Sequence, residues 1–274
     1  MKGLSMEQSF PSSRPGLLAE LDGFRVEIDA AAERADIVLD RPPLNIVSMT
    51  QREQLAAVFD ELDRDARVRV VVLRGEGEHF SSGGDIPGFL AKSPEHVSRL
   101  AWNVAAPARC KKPVIAAIHG YCFGVGFELS LACDFRLLAE SAQVGLPEMR
   151  LGMIPGSGGS ARLVKMIGLA RTKDMVMRAR RVPAAQAVAW GIAAEAVADA
   201  RLDQAVVSLV EELRGFSPLA QRTIKEVLNS AEDAPLQVAI ELEGQAYGRL
   251  RGSADFAEGV AAFKEKRKPV FRGE

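Results

Sequence analysis

The sequence is poor in the residues that usually hold metals or form disulfides. Its 274 residues include three cysteines and three histidines, and none of them has CxxC or zinc-ligand spacing. Cys110, Cys122 and Cys133 lie in apolar segments, where a free thiol packs as a small hydrophobic side chain. A GxSxG nucleophile motif is also absent. We therefore expect no metal site, no serine-hydrolase elbow and a cytoplasmic localisation.

Net charge and long apolar runs are lacking as well. The 35 Lys and Arg residues nearly balance 36 Asp and Glu residues, so no overall field attracts nucleic acid or an anionic membrane. The segment KEKRK at 264–268 is the only dense basic stretch. The longest apolar runs are far shorter than a membrane span, and the start lacks the apolar core of a signal peptide. We expect no nucleic-acid partner, no membrane association and a disordered segment at residues 1–15.

The middle of the chain repeats strand, glycine-containing loop and helix. Residues 24–39 predict a two-stranded hairpin, and residues 49–63 and 94–106 each predict a helix. The segments RVRVVVLRG, PVIAAIHG, DFRLLAE and AQVGLPE predict strands. Residues 120–131 predict a loop and a short helix, and almost everything beyond Thr172 predicts helix. The sequence thus predicts an α/β core at 16–216 and a helical region at 217–274.

Two glycine-containing loops are candidates for holding an oxyanion. HFSSGGD follows a predicted strand, and GYCFGVG precedes a predicted helix, so backbone N–H groups from both loops can point at a ligand. The alternative for either loop alone is an ordinary turn or helix cap. A third loop, GSGGSA at 156–161, mimics a dinucleotide-binding motif. A dinucleotide-binding site requires an apolar strand before this loop and an acidic residue after it that binds the ribose. Neither feature is evident in the sequence, so we reject a nucleotide site.

Two glutamates are candidates for acid–base chemistry. Glu128 lies in an apolar run behind the second loop, and Glu148 follows Pro147 at the end of a predicted strand. If both face one water-poor pocket, desolvation and mutual repulsion raise at least one pKa and separate an acid from a base. The alternatives are a helix-start charge or buried ion pair for Glu128, and a solvated loop residue for Glu148. His119, at the end of a buried strand, is interpreted as a hydrogen-bonded structural residue.

Four longer motifs occur in order: HFSSGGDI, PVIAAIHGYCFGVGFELSLACDFRLLAE, AQVGLPEMRLGMIPGSGGSARL and FAEGVAAFKEKRKPVF. On these motifs the chain resembles the crotonase superfamily, the enoyl-CoA hydratase/isomerase family, from about Phe24 to Phe271. The resemblance implies an α/β spiral of strand-strand-helix units and a C-terminal helical region that forms homotrimers or dimers of trimers. It also implies an acyl-CoA thioester substrate and no separate cofactor.

The resemblance assigns roles by position. The two oxyanion-hole N–H groups fall on Gly84 and on Val125, which is the middle residue of GVG where many relatives have GGG. Glu128 matches the glutamate that orients and deprotonates water, and Glu148 matches the one that exchanges the proton on the α-carbon. His119 stands where the family usually has asparagine, and RPPLN is a shortened form of the segment near the adenine.

The resemblance also implies contacts to the acyl-CoA from nine further residues: Leu44, Asn45, Ser82, Asp85, Ile86, Gly124, Gly156, Phe263 and Lys266. Phe263 and Lys266 match residues that reach the coenzyme A of a neighbouring subunit. The acyl pocket is expected around Ile86, Phe89, Leu90 and Trp102.

Because both glutamates are present, the resemblance favours an enoyl-CoA hydratase. The enzymatic alternative is double-bond isomerisation or C–C hydrolysis of a cyclic β-keto acyl-CoA. The alternative from another class is a non-catalytic acyl-CoA-binding or RNA-binding scaffold, against which the near-neutral charge and the glutamate pair argue.

Overall fold

The computed structural model describes residues 16–99 and 101–274, so the predicted disordered segment at 1–15 lies outside the described residues. The strands are β1 (Phe24–Asp29), β2 (Arg34–Leu39), β3 (Val70–Gly75), β4 (Val114–Ile118), β5 (Tyr121–Phe123), β6 (Phe135–Ala139), β7 (Gln143–Gly145), β8 (Val182–Pro183) and β9 (Glu195–Val197). Short 3-10 helices span Glu148–Leu151 and Asp199–Arg201.

The α-helices vary from single turns to a long helix interrupted by a kink. They are α1 (Met49–Arg64), α2 (Ile86–Leu90), α3 (Pro94–Arg99), α4 (Ala101–Val104), α5 (Ala106–Arg109), α6 (Val125–Leu131), α7 (Gly159–Met177), α8 (Ala184–Ala189), α9 (Leu202–Arg214), α10 (Pro218–Ala231), α11 (Leu236–Leu250) and α12 (Ala254–Glu265). Helix α7 is kinked at Gly168, which has a positive φ. None of the helices in the described ranges combines the length and hydropathy needed to cross a membrane.

Two sheets form the frame of the molecule. The large sheet has the order β1-β2-β3-β4-β6-β9, and all its neighbouring pairs are parallel except β1 and β2. Phe24 lies opposite Leu39, which confirms the predicted hairpin. The small sheet has the order β5-β7-β8, with β5 and β7 parallel. The predicted α/β fold class is therefore confirmed.

The chain alternates between the two sheets in a repeating pattern. β4 in the large sheet is followed by β5 in the small sheet and then by α6, and β6, β7 and α7 repeat this order. The segment after β3 does the same in reduced form, because Ser81 forms a parallel bridge with Cys122 before α2 begins. These are the strand-strand-helix units that the family resemblance implies.

Both faces of the large sheet are covered by helices. Side chains of a strand alternate between the faces, so Val71 and Leu73 belong to the core that includes α1. Val70 and Val72 pack with α9 on the other face. The three cysteines are buried as predicted, and burial raises the pKa of Cys110 and Cys133 to about 12, which keeps both thiols protonated.

Some local predictions were wrong. The single helix predicted at 94–106 is divided among α3, α4 and α5, and Pro107 in the first turn of α5 cannot continue a preceding helix. Residues 121–123 form β5 rather than a loop, and β8 and β9 interrupt the helices predicted beyond Thr172. Alanine and glutamate in β9 favour helix, but pairing with β6 at the sheet edge overrides that preference.

The C-terminal region at 217–274 is helical as predicted, and a buried lysine anchors it to the core. Lys225 of α10 donates to Asp134 Oδ2 at 2.6 Å and to the carbonyl oxygens of Pro107 and Lys112, both at 3.0 Å. Asp134 Oδ2 also accepts the N–H of Val114 of β4. All three donors of the ammonium group are therefore used within the protein.

We predict that Lys225→Met destabilises the protein by about 3–5 kcal/mol, because the partly buried carboxylate of Asp134 then loses its cation. Thermal unfolding should show a lower Tm than for the wild type. The control is Lys173→Met on the exposed face of α7. Adding Asp134→Asn to Lys225→Met should recover part of the loss, and an unchanged Tm in the single variant would contradict the anchoring role.

Candidate active site

The candidate site lies where three parallel segments end side by side. The bridge at Ser81 leads to Gly84, β5 leads to Val125, and β7 leads to Glu148. Ser81 is paired with Cys122, and Phe123 is paired with Gly145, both in parallel register. The carboxyl-terminal ends of the three segments therefore lie next to one another. Loops that leave such ends are the usual place for ligand sites in α/β proteins.

The two loops that carry the predicted N–H donors come into close contact. A Cβ atom on Gly124 would lie 3.5 Å from the Cα of Gly83, and both glycines have a φ that disfavours other residues, +52° and +121°. Within the described chain, the N–H groups of Gly84 and Val125 donate no hydrogen bond. Two free backbone donors on adjacent loops are the arrangement that an oxyanion requires.

Glu128 is buried and held through one of its oxygens. The residue is 3% exposed, and its Oε1 accepts the N–H groups of Ser157 at 2.7 Å and Gly159 at 3.1 Å. These donors lie at the start of α7, so the carboxylate caps that helix. Glu128 forms no ion pair with a described residue, in contrast to the buried-pair alternative. Its Oε2 is left available to a water molecule.

Glu148 shares this site but is far less constrained. Burial raises the pKa of Glu148 to about 7, and the charge of Glu128 acts in the same direction, whereas its own backbone N–H and Arg52 lower it. Its Oε2 is buried without a hydrogen-bond partner among the described residues. A carboxyl group that titrates near neutral pH can both give and take a proton.

Arg52 is a member of the site that the sequence analysis missed. It lies on α1, is 5% exposed, and its guanidinium sits over the ring of Phe89 at 5.3 Å from the ring centroid. Burial lowers the pKa of Arg52, and the charges of Glu128 and Glu148 oppose this effect. A signal was present in the sequence: Arg52 precedes Leu55 by three residues and Phe59 by seven, which places it on the buried face of the helix.

Several predicted substrate contacts face open space. Leu44 and Ile86 are 39% and 49% exposed, although each is large and apolar. Gly156 is exposed, and a Cβ atom there would meet nothing within 4 Å. Gly124 lies directly beside Glu148, since a Cβ atom there would be 3.1 Å from Glu148 Oε1.

Other predicted contacts have roles within the protein. The buried side chain of Asn45 donates to the carbonyl oxygens of Glu76 and His79 and accepts the N–H of Arg41, so its amide group holds the surrounding loops together. The N–H of Ser82 donates to Leu44, and the N–H of Asp85 donates to Val47.

The remaining predicted residues lie on the surface. Leu90, Trp102 and Phe263 are 92%, 72% and 86% exposed. Lys266 ends α12 in a left-handed conformation, and no described hydrogen bond or ring contact joins it or Phe263 to the cleft. His119 is outside the site: its Nε2 is 2.9 Å from the carbonyl oxygen of Gly77, in agreement with a structural role.

Comparison with known proteins identifies the family. Residues 30–274 match the model of the family described as enoyl-CoA hydratase/isomerase. The chain belongs to the enoyl-CoA hydratase/isomerase family. Membership implies the use of an acyl-CoA substrate.

Individual members show how far the similarity extends. A probable enoyl-CoA hydratase of Bacillus subtilis (strain 168) is 35% identical over 246 residues, which cover 88% of this chain and 95% of the relative. The carnitinyl-CoA dehydratase of Escherichia coli (strain K12) is also 35% identical over 246 residues, with 87% and 94% covered. The structure of an enoyl-CoA hydratase subunit from Geobacillus kaustophilus HTA426 has a TM-score of 0.88 and 34% identity, with 93% and 100% covered.

We predict that Glu148 makes stability depend on pH. Its folded pKa of about 7 exceeds the reference value of 4.5, so its protonated form adds stability that is complete below about pH 4.5 and is lost as the pH rises to about 7. Glu148→Gln lacks this loss, and the Tm of the variant minus that of the wild type should increase across this window. Glu211→Gln on exposed α9 is the control. Parallel Tm profiles for Glu148→Gln and wild type would contradict the raised pKa.

Proposed function

We propose that this enzyme is an enoyl-CoA hydratase, which adds water reversibly across the 2,3-double bond of an acyl-CoA thioester. The observation that supports this reaction most is the difference between the local environments of the two glutamates. One oxygen of Glu128 is fixed by two N–H groups, whereas Glu148 has a pKa of about 7 and an unpaired oxygen. Hydration needs one carboxylate to position water and another group to move a proton at carbon.

In the proposed reaction, Glu128 takes a proton from water while the water oxygen forms a bond to the β-carbon. The π electrons of the double bond move toward the thioester, whose oxygen becomes an enolate held by the N–H groups of Gly84 and Val125. Protonated Glu148 then gives its proton to the α-carbon and the carbonyl is restored. The product contains one added water, and proton exchange with solvent returns both glutamates to their starting states. No cofactor is needed.

We further propose that the active form is a homotrimer or a dimer of trimers. The C-terminal helices leave large apolar side chains exposed in the single chain, among them Leu236 on α11 and Phe263 on α12, at 78% and 86%. A surface of this kind favours association. Sedimentation velocity of the purified protein tests this, since a monomer at assay concentration would contradict it.

We predict that Glu128→Gln and Glu148→Gln each lower kcat about 10²- to 10⁴-fold, because each removes one acid–base group. The amide preserves size and leaves an acceptor for the N–H groups of Ser157 and Gly159. The measurement is the loss of ultraviolet absorbance of the conjugated thioester, with crotonyl-CoA and longer, branched and cyclic enoyl-CoA esters. Binding of a saturated acyl-CoA should change little. If wild type hydrates no ester yet binds coenzyme A esters, isomerisation or C–C hydrolysis replaces hydration.

We predict that Val125→Pro lowers kcat about 10²- to 10³-fold, because it deletes one oxyanion donor. Val125 is the first residue of α6, a position where proline suits the helix and where no hydrogen bond is lost within the described protein. Val125→Ala keeps the N–H and is the matched control. Near-normal turnover in a folded Val125→Pro, checked by circular dichroism, would remove Val125 from the mechanism.

A further inference from the structure

Among the described residues, Arg52 differs from the other buried cations in having no hydrogen-bond or ion-pair partner for its guanidinium. Of the three buried cationic side chains in the described residues, Lys225 makes the three hydrogen bonds given above, and Lys112 donates to the carbonyl oxygens of Leu62 and Asp65. Arg52 is the most buried of the three at 5% exposure, yet its guanidinium donates no hydrogen bond and forms no ion pair within the described chain.

An arrangement of this kind is costly unless something completes it. A buried charge is expensive without a counter-charge, and each unused donor adds to the cost. Glu128 and Glu148 are near enough for their charges to affect Arg52, but neither forms an ion pair with it. The five N–H donors of the planar guanidinium match the two oxygens of a carboxylate. An anion that enters the site would supply these missing hydrogen bonds.

Arg52 points to the place where the proposed thioester binds. A Cβ atom on Gly84 would lie 3.1 Å from Arg52 Nη2 and 2.6 Å from Phe89 Cζ. Any larger residue at position 84 would collide with Phe89 and press on the guanidinium. Arg52 thus reaches the residue whose N–H is a proposed oxyanion donor, and its guanidinium lies over the ring of Phe89, which occupies none of its N–H donors with a hydrogen bond.

We propose that Arg52 binds a carboxylate on the acyl chain, so that the substrates are enoyl-CoA esters of dicarboxylic acids. This inference rests on the proposed hydratase function and specifies its substrate class. The thioester oxygen is a less suitable partner, because the N–H groups of Gly84 and Val125 already serve it. A cationic acyl group would meet the buried guanidinium and be excluded.

The test compares three derivatives of crotonyl-CoA that carry on the terminal carbon a carboxylate, its methyl ester or a trimethylammonium group. The same series lengthened by one methylene group tests a second distance between the double bond and the terminal group. Wild type should prefer the carboxylate over the ester in kcat/KM and turn over the cationic derivative least. Arg52→Gln should lower kcat/KM for the carboxylate about 10- to 150-fold, the effect of a charged hydrogen bond, and change the ester far less.

Two further variants define the cause. Arg52→Lys keeps the positive charge but loses the planar set of guanidinium N–H donors. It should therefore retain only part of the preference for the carboxylate over the methyl ester. Arg64→Gln is the matched control, because Arg64 lies on the same helix about 18 Å farther along and is 65% exposed at its side chain. Equal kcat/KM for carboxylate and ester in wild type, or an equal loss for all derivatives in Arg52→Gln, would overturn the proposal. An equal loss would make Arg52 a charge-balancing residue.

Binding separates this proposal from the hydratase proposal. Glutaryl-CoA and its methyl ester cannot be hydrated, and calorimetry gives their Kd for wild type and Arg52→Gln whether or not turnover occurs. Tighter binding of glutaryl-CoA that is lost in Arg52→Gln supports the carboxylate site even if no enoyl ester is hydrated. Hydration of crotonyl-CoA without any such difference rejects the carboxylate site and leaves the hydratase function intact.

Discussion

The parallel pairing of three short segments is the constraint on which the site depends. Ser81 is bridged to Cys122 in β5, and β5 is hydrogen-bonded to β7, so the chain leaves this sheet three times at the same edge. Parallel neighbours cannot be joined by a tight turn, so long connections lie between them, and in this protein those connections contain helices. One arrangement of hydrogen bonds therefore brings together Gly84, Val125 and Glu148 from distant parts of the chain.

The site uses burial in two opposite ways. Glu128 is enclosed and held by two N–H groups at the start of α7, which fixes its position without a counter-ion. Glu148 is enclosed without a hydrogen bond to Oε2, and desolvation raises its pKa to about 7. Two glutamates thus behave differently because of their surroundings: Glu128 is a fixed carboxylate, and Glu148 has a raised pKa. The segments that follow β5 and β7 place each glutamate in its environment.

The sequence predicted most of what depends on local pattern. The spacing of apolar residues along the sequence was enough to predict the hairpin at 24–39 and helix α1. It also singled out Glu128 as a carboxylate inside an apolar run. Edge strand β9 could not be predicted in this way, because its alanine and glutamate favour helix and only pairing with β6 makes it a strand. The hydrogen bonds from the Asn45 amide to the carbonyl oxygens of Glu76 and His79 could not be predicted either, since both partners are distant in sequence.

Arg52 shows a different limit of sequence reasoning. Its spacing from Leu55 and Phe59 places it on the buried face of α1, but spacing alone does not distinguish a paired arginine from one that lacks a partner. The position of the guanidinium also depends on Gly84, because a Cβ atom there would lie 2.6 Å from Phe89 Cζ and 3.1 Å from Arg52 Nη2. The position of the Arg52 charge is therefore set jointly by a helix and by a loop that lies 32 positions farther along the chain.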